Sequence, residues 1–220
     1  MHPYGWWPPP VTDLAPGGRP RCVYSRHVPD TLVARARDLA AQIMREYPDR
    51  LRHLAAVAAR ADALSVTVPT DTVDALVASA WLHDIGYAPA LRQTGFHPLD
   101  GATYLRQEGW PDDVCALVAH HSGSRFVARI NGLDGSLGKF EFAEDAASDV
   151  LTSADNTAGQ DGSLVKMTER LREKMQRHGP DSPGALANPE RDDYIRAAAR
   201  RVVHRLAKVG RTDAYLDVRG

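Results

Sequence analysis

From Pro29 onward, apolar residues recur at the three-and-four spacing of helices that bury one face. Leu32, Val33, Ala36, Leu39, Ala40 and Ile43 predict a first helix, capped by Asp30 and ending near Tyr47-Pro48. A second helix follows Pro48 and carries His53 among Leu54, Val57, Ala58 and Ala61. Pro69-Thr70-Asp71 opens a third over Thr72–Trp81, where Val73, Leu76, Val77, Ala80 and Trp81 mark the buried side. It runs into His83-Asp84, and Gly86 can terminate it. A loop from Tyr87 to Phe96 leads to a helix that starts at His97-Pro98, passes Ala102 and Leu105, and is closed by Gly109. Pro111 begins another, with Val114, Leu117, Val118 and His121 on one side and His120 about a hundred degrees round. Four glycines between Ser122 and Gly138 predict an irregular segment. Helical spacing returns from Phe140 to about Thr157 and places Asp155 one turn after Leu151. A charged helix over Leu164–Arg177, a polar loop from His178 to Pro189 and a last helix from Asp192 to about Val209 complete the chain. No strand pattern or internal repeat stands out, so the expected fold class is all-α.

The first 28 residues differ in kind. Trp6, Trp7, Pro8-Pro9-Pro10 and Gly17-Gly18 exclude a helix or a central strand there and predict an arm. Residues 29–220 are expected to form one helical domain, with core motifs over 53–155 and packing helices over 164–210. The Arg and Glu residues of those last helices read as a solvated face. Hydrophobic content of 43%, charged content of 25% and a net charge of −1 are ordinary for a globular protein. No basic block is present, which argues against a nucleic-acid partner. No apolar run reaches membrane-span length, and Met1 to Pro10 lacks a signal-peptide pattern, so the expected location is cytoplasmic. Cys22 and Cys115 are too few for a disulfide framework, and Cys115 reads as a small core residue.

Candidate chemistry comes from polar side chains at apolar-register positions. His83 lies one heptad after Leu76 and Asp84 one after Val77, so both point inward. A buried carboxylate needs a cation or several donors. His53, His83, His97, His120, His121, Asp84 and Asp155 together make five imidazoles and two carboxylates. That donor set suits Fe, Mn, Co, Ni or Zn.

The order His53, then His83-Asp84, then Asp155 in Ser153-Ala154-Asp155-Asn156 resembles the HD-domain superfamily of metal-dependent phosphohydrolases. The resemblance covers roughly His53 to Asp155 and implies an HD-domain-like helical bundle. It also implies that those four residues bind one divalent metal, with His83 and Asp84 at the catalytic centre. His97, in Phe96-His97-Pro98-Leu99-Asp100-Gly101, and His120-His121-Ser122 look like the extra histidines of the binuclear subgroups. In that pattern Asp84 bridges two ions, with His97 and His120, or else His121, on the second. Two departures stand out. Ser122-Gly123-Ser124 replaces the Gly-Tyr-Pro signature of the cyclic-dinucleotide phosphodiesterases, and Tyr87 stands where many members carry lysine. The closest likeness is to small stand-alone HD hydrolases.

The resemblance implies hydrolysis of a phosphoester or phosphoanhydride, a nucleotide foremost, by a metal-activated water. The expected partner is a small phosphorylated molecule; a homodimer is compatible with the sequence. Phosphate recognition calls for bidentate donors. Arg50 precedes His53 by one helical turn, Arg92 lies in the loop after the His-Asp pair, and Arg125 just past the paired histidines. Two alternatives share the same residues: a di-iron oxygenase of the same superfamily, and a ligand-sensing module with a degenerate site.

Overall fold

A computed structural model of the chain describes residues 31–178 and 181–216, without the side chains of 175–178. The arm expected over residues 1–28, Cys22 and the expected cap Asp30 lie outside the described residues. The most apolar stretch, Val73–Leu82, is a helix buried from Ala75 to Ala80 and again at Leu82. A helix apolar on all sides must be covered on all sides. Here Leu32–Ile43 (α1), Pro48–Leu64 (α2), Asp112–His120 (α5) and Ala146–Asp155 (α8) pack around Val73–Leu82 (α3). The remaining helices are His97–Gln107 (α4), Ser124–Ile130 (α6), Asp134–Leu137 (α7), Met167–His178 (α9) and Pro183–Lys208 (α10). The described residues contain no strand, only a lone antiparallel bridge between Ala158 and Leu164. The fold is all-α, as expected.

Because α3 has two apolar sides, it divides the core. Ala75, Ala78 and Leu82 join Met44, Leu54, Leu99, Leu105 and Val118 on one side. Leu76 and Ala80 join Val57, Val150, Leu151, Ile195 and Val202 on the other. Burying Leu76 and Leu82 completely contributes about 1.5–3 kcal/mol each. The small Ala78, Ser79 and Ala80 let neighbouring helices approach closely, and the Ser79 hydroxyl donates back to the Ala75 carbonyl at 2.7 Å. Among the described residues, no helix is long and apolar enough to cross a membrane.

Several predicted boundaries moved. Thr31 caps α1, its hydroxyl accepting from the Ala34 amide. The segment expected to be irregular over Ser122–Gly138 holds α6 and α7. Its glycines punctuate helices there: Gly123 and Gly132 adopt φ +69° and +67° at the two ends of α6. Ala128 and Phe126 of α6 pack into opposite sides of the core, which favours helix over loop. α8 starts later than predicted, where the Asp145 side chain accepts from the Ser148 amide. α10 starts earlier and runs through Pro189. Ser182 as cap with Pro183 at the first position provides the true start signal.

The expected solvated face of the last helices is only partly solvated. Asp149 of α8, 1% exposed, accepts from Arg201 and Arg205 of α10 at 2.6 and 2.9 Å. Arg170 of α9 is buried as well. These charges turn inward because a buried carboxylate requires donors, and the paired guanidinium groups fasten α10 to α8.

Candidate metal centre

Four helix ends and the flank of a fifth helix converge on one point. His83 and Asp84 end α3, His97 begins α4, His121 follows α5, and Asp155 ends α8; His53 comes from the side of α2. Helix ends suit this role because the chain leaves its regular ladder there and can turn a side chain inward. His121 illustrates it. At φ −57° and ψ 147° it has left the helix, and its ring folds back so that Nδ1 donates to the Val118 carbonyl at 2.7 Å.

Protonation follows from these hydrogen bonds. The Nδ1 atoms of His53, His83 and His121 face the carbonyls of Gly159, Ala80 and Val118 at 2.9, 2.9 and 2.7 Å. A carbonyl only accepts, so each Nδ1 carries a proton and each ring turns its Nε2 inward. Those Nε2 atoms meet carboxylates. His53 Nε2 lies 3.2 Å from Asp155 Oδ1. His83 Nε2 is 3.6 Å from Asp84 Oδ1 and 3.9 Å from Asp155 Oδ1. His121 Nε2 is 3.7 Å from Asp84 Oδ1. His97 Nε2 adds contacts of 3.2 Å to Asp84 Oδ1 and 3.3 Å to His121 Nε2.

The electrostatics sharpen the point. Burial pushes the His83 imidazole down despite Asp84 and Asp155. Burial, reinforced by His83 and His97, pushes His121 down to about 3. Both rings are therefore neutral at pH 7. His53 is raised, because Asp155 and Asp84 outweigh its burial. Burial opposes ionisation of Asp84 and Asp155, but the His83 and His97 imidazoles beside Asp84, and Lys174 with the His53 imidazole beside Asp155, hold both well below the usual carboxylate range. Asp84 and Asp155 thus both face the lone pair of neutral His83, and His83 Nε2 is buried without a hydrogen-bond partner among the described residues. Acceptors aimed at acceptors in a low-dielectric site call for a cation between them. The ligand atoms fall into two groups with the spread a metal ion accepts: His53, His83 and Asp155; and His83, Asp84 and His121.

A model of the HD domain family matches residues 50–159, half of the chain. The chain belongs to the HD domain family. No curated protein and no solved structure gives a significant match. The HD match begins at Arg50 and ends at Gly159, whose carbonyl orients His53, so it encloses all six clustered side chains. The HD family consists generally of metal-dependent phosphohydrolases, with some non-catalytic members.

Beyond the HD match, two further cations reach the centre. Lys174 of α9 donates to Asp155 Oδ2 at 3.2 Å and to Asn156 Oδ1 at 2.9 Å. Burial lowers its pKa to about 8, with Asp155 acting in the opposite direction. Arg191 of α10 donates through Nε to the Ser122 carbonyl at 2.8 Å. Ser122, at a left-handed φ of 50°, donates its hydroxyl to Asp155 Oδ2 and accepts from the Asn156 amide. With Oδ2 held by Ser122 and Lys174, Asp155 presents Oδ1 to His53 and His83.

Sequence reading missed these residues although a signal was there. Lys174 continues the apolar register Met167, Leu171 of α9, and Arg191 precedes Tyr194, Ile195 and Ala198 at helical spacing in α10. A charge in an apolar register asks for a buried partner.

Three expected site residues fall differently. His120 turns away from the cluster. Its Nε2 faces the Phe140 carbonyl at 2.9 Å and its ring packs edge-on against Phe142. It lines a cavity of about 100 Å³ with Thr72, Ala75 and Leu117, on the other side of α5. His121 has left the helix and its ring folds back onto the Val118 carbonyl, while His120 reaches the Phe140 carbonyl instead, so His121 takes the position expected for His120. Arg125 is also elsewhere, its guanidinium stacked among Phe142, Tyr194 and Phe126 at 4.1, 4.4 and 4.7 Å. Arg92 is exposed, just after the turn Pro89–Leu91, with no ion pair among the described residues. Arg50 does reach the centre, with Nη1 3.5 Å from Asp84 Oδ2.

Proposed function

We propose that this HD protein is a metal-dependent phosphohydrolase that acts on a small phosphorylated molecule, a nucleotide foremost. The observation that carries this reading is the set of inward Nε2 atoms on rings fixed by backbone carbonyls, facing two ionised and buried carboxylates. In this reading His53, His83, Asp84 and Asp155 hold a first divalent transition-metal ion, and Asp84, His97 and His121 hold a second. A bound ion supplies Lewis acidity, making water nucleophilic near neutral pH and polarising a phosphoryl oxygen.

The chain's own side chains do the rest. Lys174 and Ser122 keep Asp155 turned with Oδ1 inward. Arg50, Lys174 and Arg191 surround the centre with positive charge from three separate helices, which favours an anionic substrate. The Arg50 side chain is more accessible than that of Lys174, 41% exposed against 17%, and its fork suits a phosphate. Arg191, tied to the Ser122 carbonyl, holds the turn between His121 and α6.

The test is phosphate release from a panel of nucleotides and phosphomonoesters, with the protein loaded with Mn²⁺, Fe²⁺, Co²⁺, Ni²⁺ or Zn²⁺. Turnover with at least one metal and its abolition by a chelator are expected. Oxygen uptake by the iron-loaded protein without phosphate release would replace the reading by an oxygenase. In the same assay Arg50→Ala should weaken inhibition by inorganic phosphate roughly ten- to a hundredfold, the size of one lost charge-assisted contact. Metal content should not change. Arg50→Lys should recover only part of the loss, because an ammonium keeps the charge without the fork. Unchanged phosphate affinity in Arg50→Ala would remove this residue from the substrate site.

The paired histidines separate in a metal measurement. Elemental analysis of His121→Ala should show one bound ion fewer than the wild type, whereas His120→Ala should keep the full complement. The reverse pattern would return the ligand role to His120.

A further inference from the structure

His97 is oriented unlike the other imidazoles of the cluster. His53, His83 and His121 each anchor Nδ1 on a backbone carbonyl. His97 has no such bond among the described residues, and at 21% side-chain exposure it is the most open of the four. A ligand imidazole without an orienting partner can rotate, and outer partners are what ordinarily fix ring orientation at a metal.

Tyr87 occupies that role by another means. Its ring lies on the His97 ring with centroids 3.8 Å apart and planes 15° apart. The Arg50 guanidinium carbon sits 3.6 Å from the centre of the same Tyr87 ring. Two groups that close to one ring centre cannot share a face, so Arg50 and His97 bracket Tyr87. The backbone supports the stack. Tyr87 ends the turn Ile85–Tyr87, which packs directly on the start of α4. Gly86 lies so close to His97 that a Cβ there would be 2.0 Å from the His97 carbonyl oxygen. The relative height of the two rings is thereby set by backbone contact.

We propose that Tyr87 is the positioning residue for the second metal ion: its ring, set in height by the close backbone approach of Gly86 to His97, holds His97 with Nε2 toward Asp84 and His121. The inference rests on reading the cluster as a metal centre, and it concerns the ring face of Tyr87, not its hydroxyl. It also links the two ends of the site, because the ring that orients a metal ligand also seats the arginine proposed to contact phosphate.

The test is a Mn²⁺ titration of wild type, Tyr87→Phe and Tyr87→Leu by calorimetry, with electron paramagnetic resonance to report a spin-coupled pair. Wild type and Tyr87→Phe should each take up two ions and show the coupled spectrum. Tyr87→Leu should keep the tighter ion and bind the weaker one about ten- to a hundredfold less well, the usual cost of losing an outer partner at a metal site. Circular dichroism should be the same for all three. Four results would overturn the proposal. They are a wild type that takes up a single ion, an unaltered second ion in Tyr87→Leu, equal loss of both ions in Tyr87→Leu, and loss in Tyr87→Phe as large as in Tyr87→Leu. None of these depends on turnover. A protein that binds two ions as described but releases no phosphate would sink the hydrolase reading and leave the role of Tyr87 standing.

Discussion

Replacing Asp84 by alanine is expected to abolish turnover and to leave a folded helical protein. Asp84 Oδ1 lies within 3.2–3.7 Å of Nε2 of His97, His83 and His121, and Oδ2 lies 3.5 Å from Arg50. No other side chain of the cluster faces three imidazoles and an arginine. Its removal leaves three imidazoles without the shared anion, so at least one ion should be lost along with the bridge between the two groups of ligands. The fold should survive, because Asp84 is not part of the apolar packing: its helix is held by Leu76, Ala78, Ala80 and Leu82. Removing a buried carboxylate also removes its desolvation cost. Asp84→Asn, which keeps the shape and loses the charge, should be nearly as inactive. Phosphate release, elemental analysis and circular dichroism check the three parts. Undiminished turnover in either variant would rule out the mechanism.

Gly86→Ala should cause the largest loss of stability of any single methyl added near the site. The new Cβ would stand 2.0 Å from the His97 carbonyl oxygen, 2.6 Å from the Gly101 nitrogen and 2.9 Å from the His97 carbonyl carbon. All three are backbone atoms, so no side chain can swing aside and α4 must shift as a unit. Overpacking typically costs about 1–3 kcal/mol, and this position belongs at or above the upper end. For a chain of this size that corresponds to a melting midpoint lowered by roughly 6–12 °C. Because α4 begins at His97, the same shift should weaken the second Mn²⁺ ion. Gly101→Ala is the control. Its Cβ meets Gly86 nitrogen at 3.2 Å and the Ile85 side chain at 3.4 Å, contacts that small adjustments relieve. A melting midpoint for Gly86→Ala within 2 °C of wild type would contradict the close approach described here.

Much of the fold was legible from periodicity because most helices bury one stripe, and a stripe repeats. α3 was legible from its even apolarity and its position before His83-Asp84. The misreadings share a physical origin: each lies where a local signal competes with a distant contact. The glycines around α6 resemble a loop until Ala128 and Phe126 find the core. Pro189 resembles a helix start until Ser182 and Pro183 cap one earlier.

For the site, the sequence by itself determined which side chains turn inward: His53, His83, Asp84, His97 and Asp155 fall at inward positions of helices whose register their own neighbours establish. Tertiary structure decided between His120 and His121, because the direction of a side chain at a helix end depends on which carbonyl its ring can reach, and Val118 is within reach of His121. It sent Arg125 to an aromatic cluster and kept Arg50 at the centre, since a guanidinium goes where a carboxylate or ring face is available. It also brought in Lys174 and Arg191, 19 and 36 residues beyond Asp155 in the chain, through the packing of α9 and α10. Spacing along one helix specifies which way a residue faces; what it faces is set by helices far away in sequence, and only their packing brings the charges together.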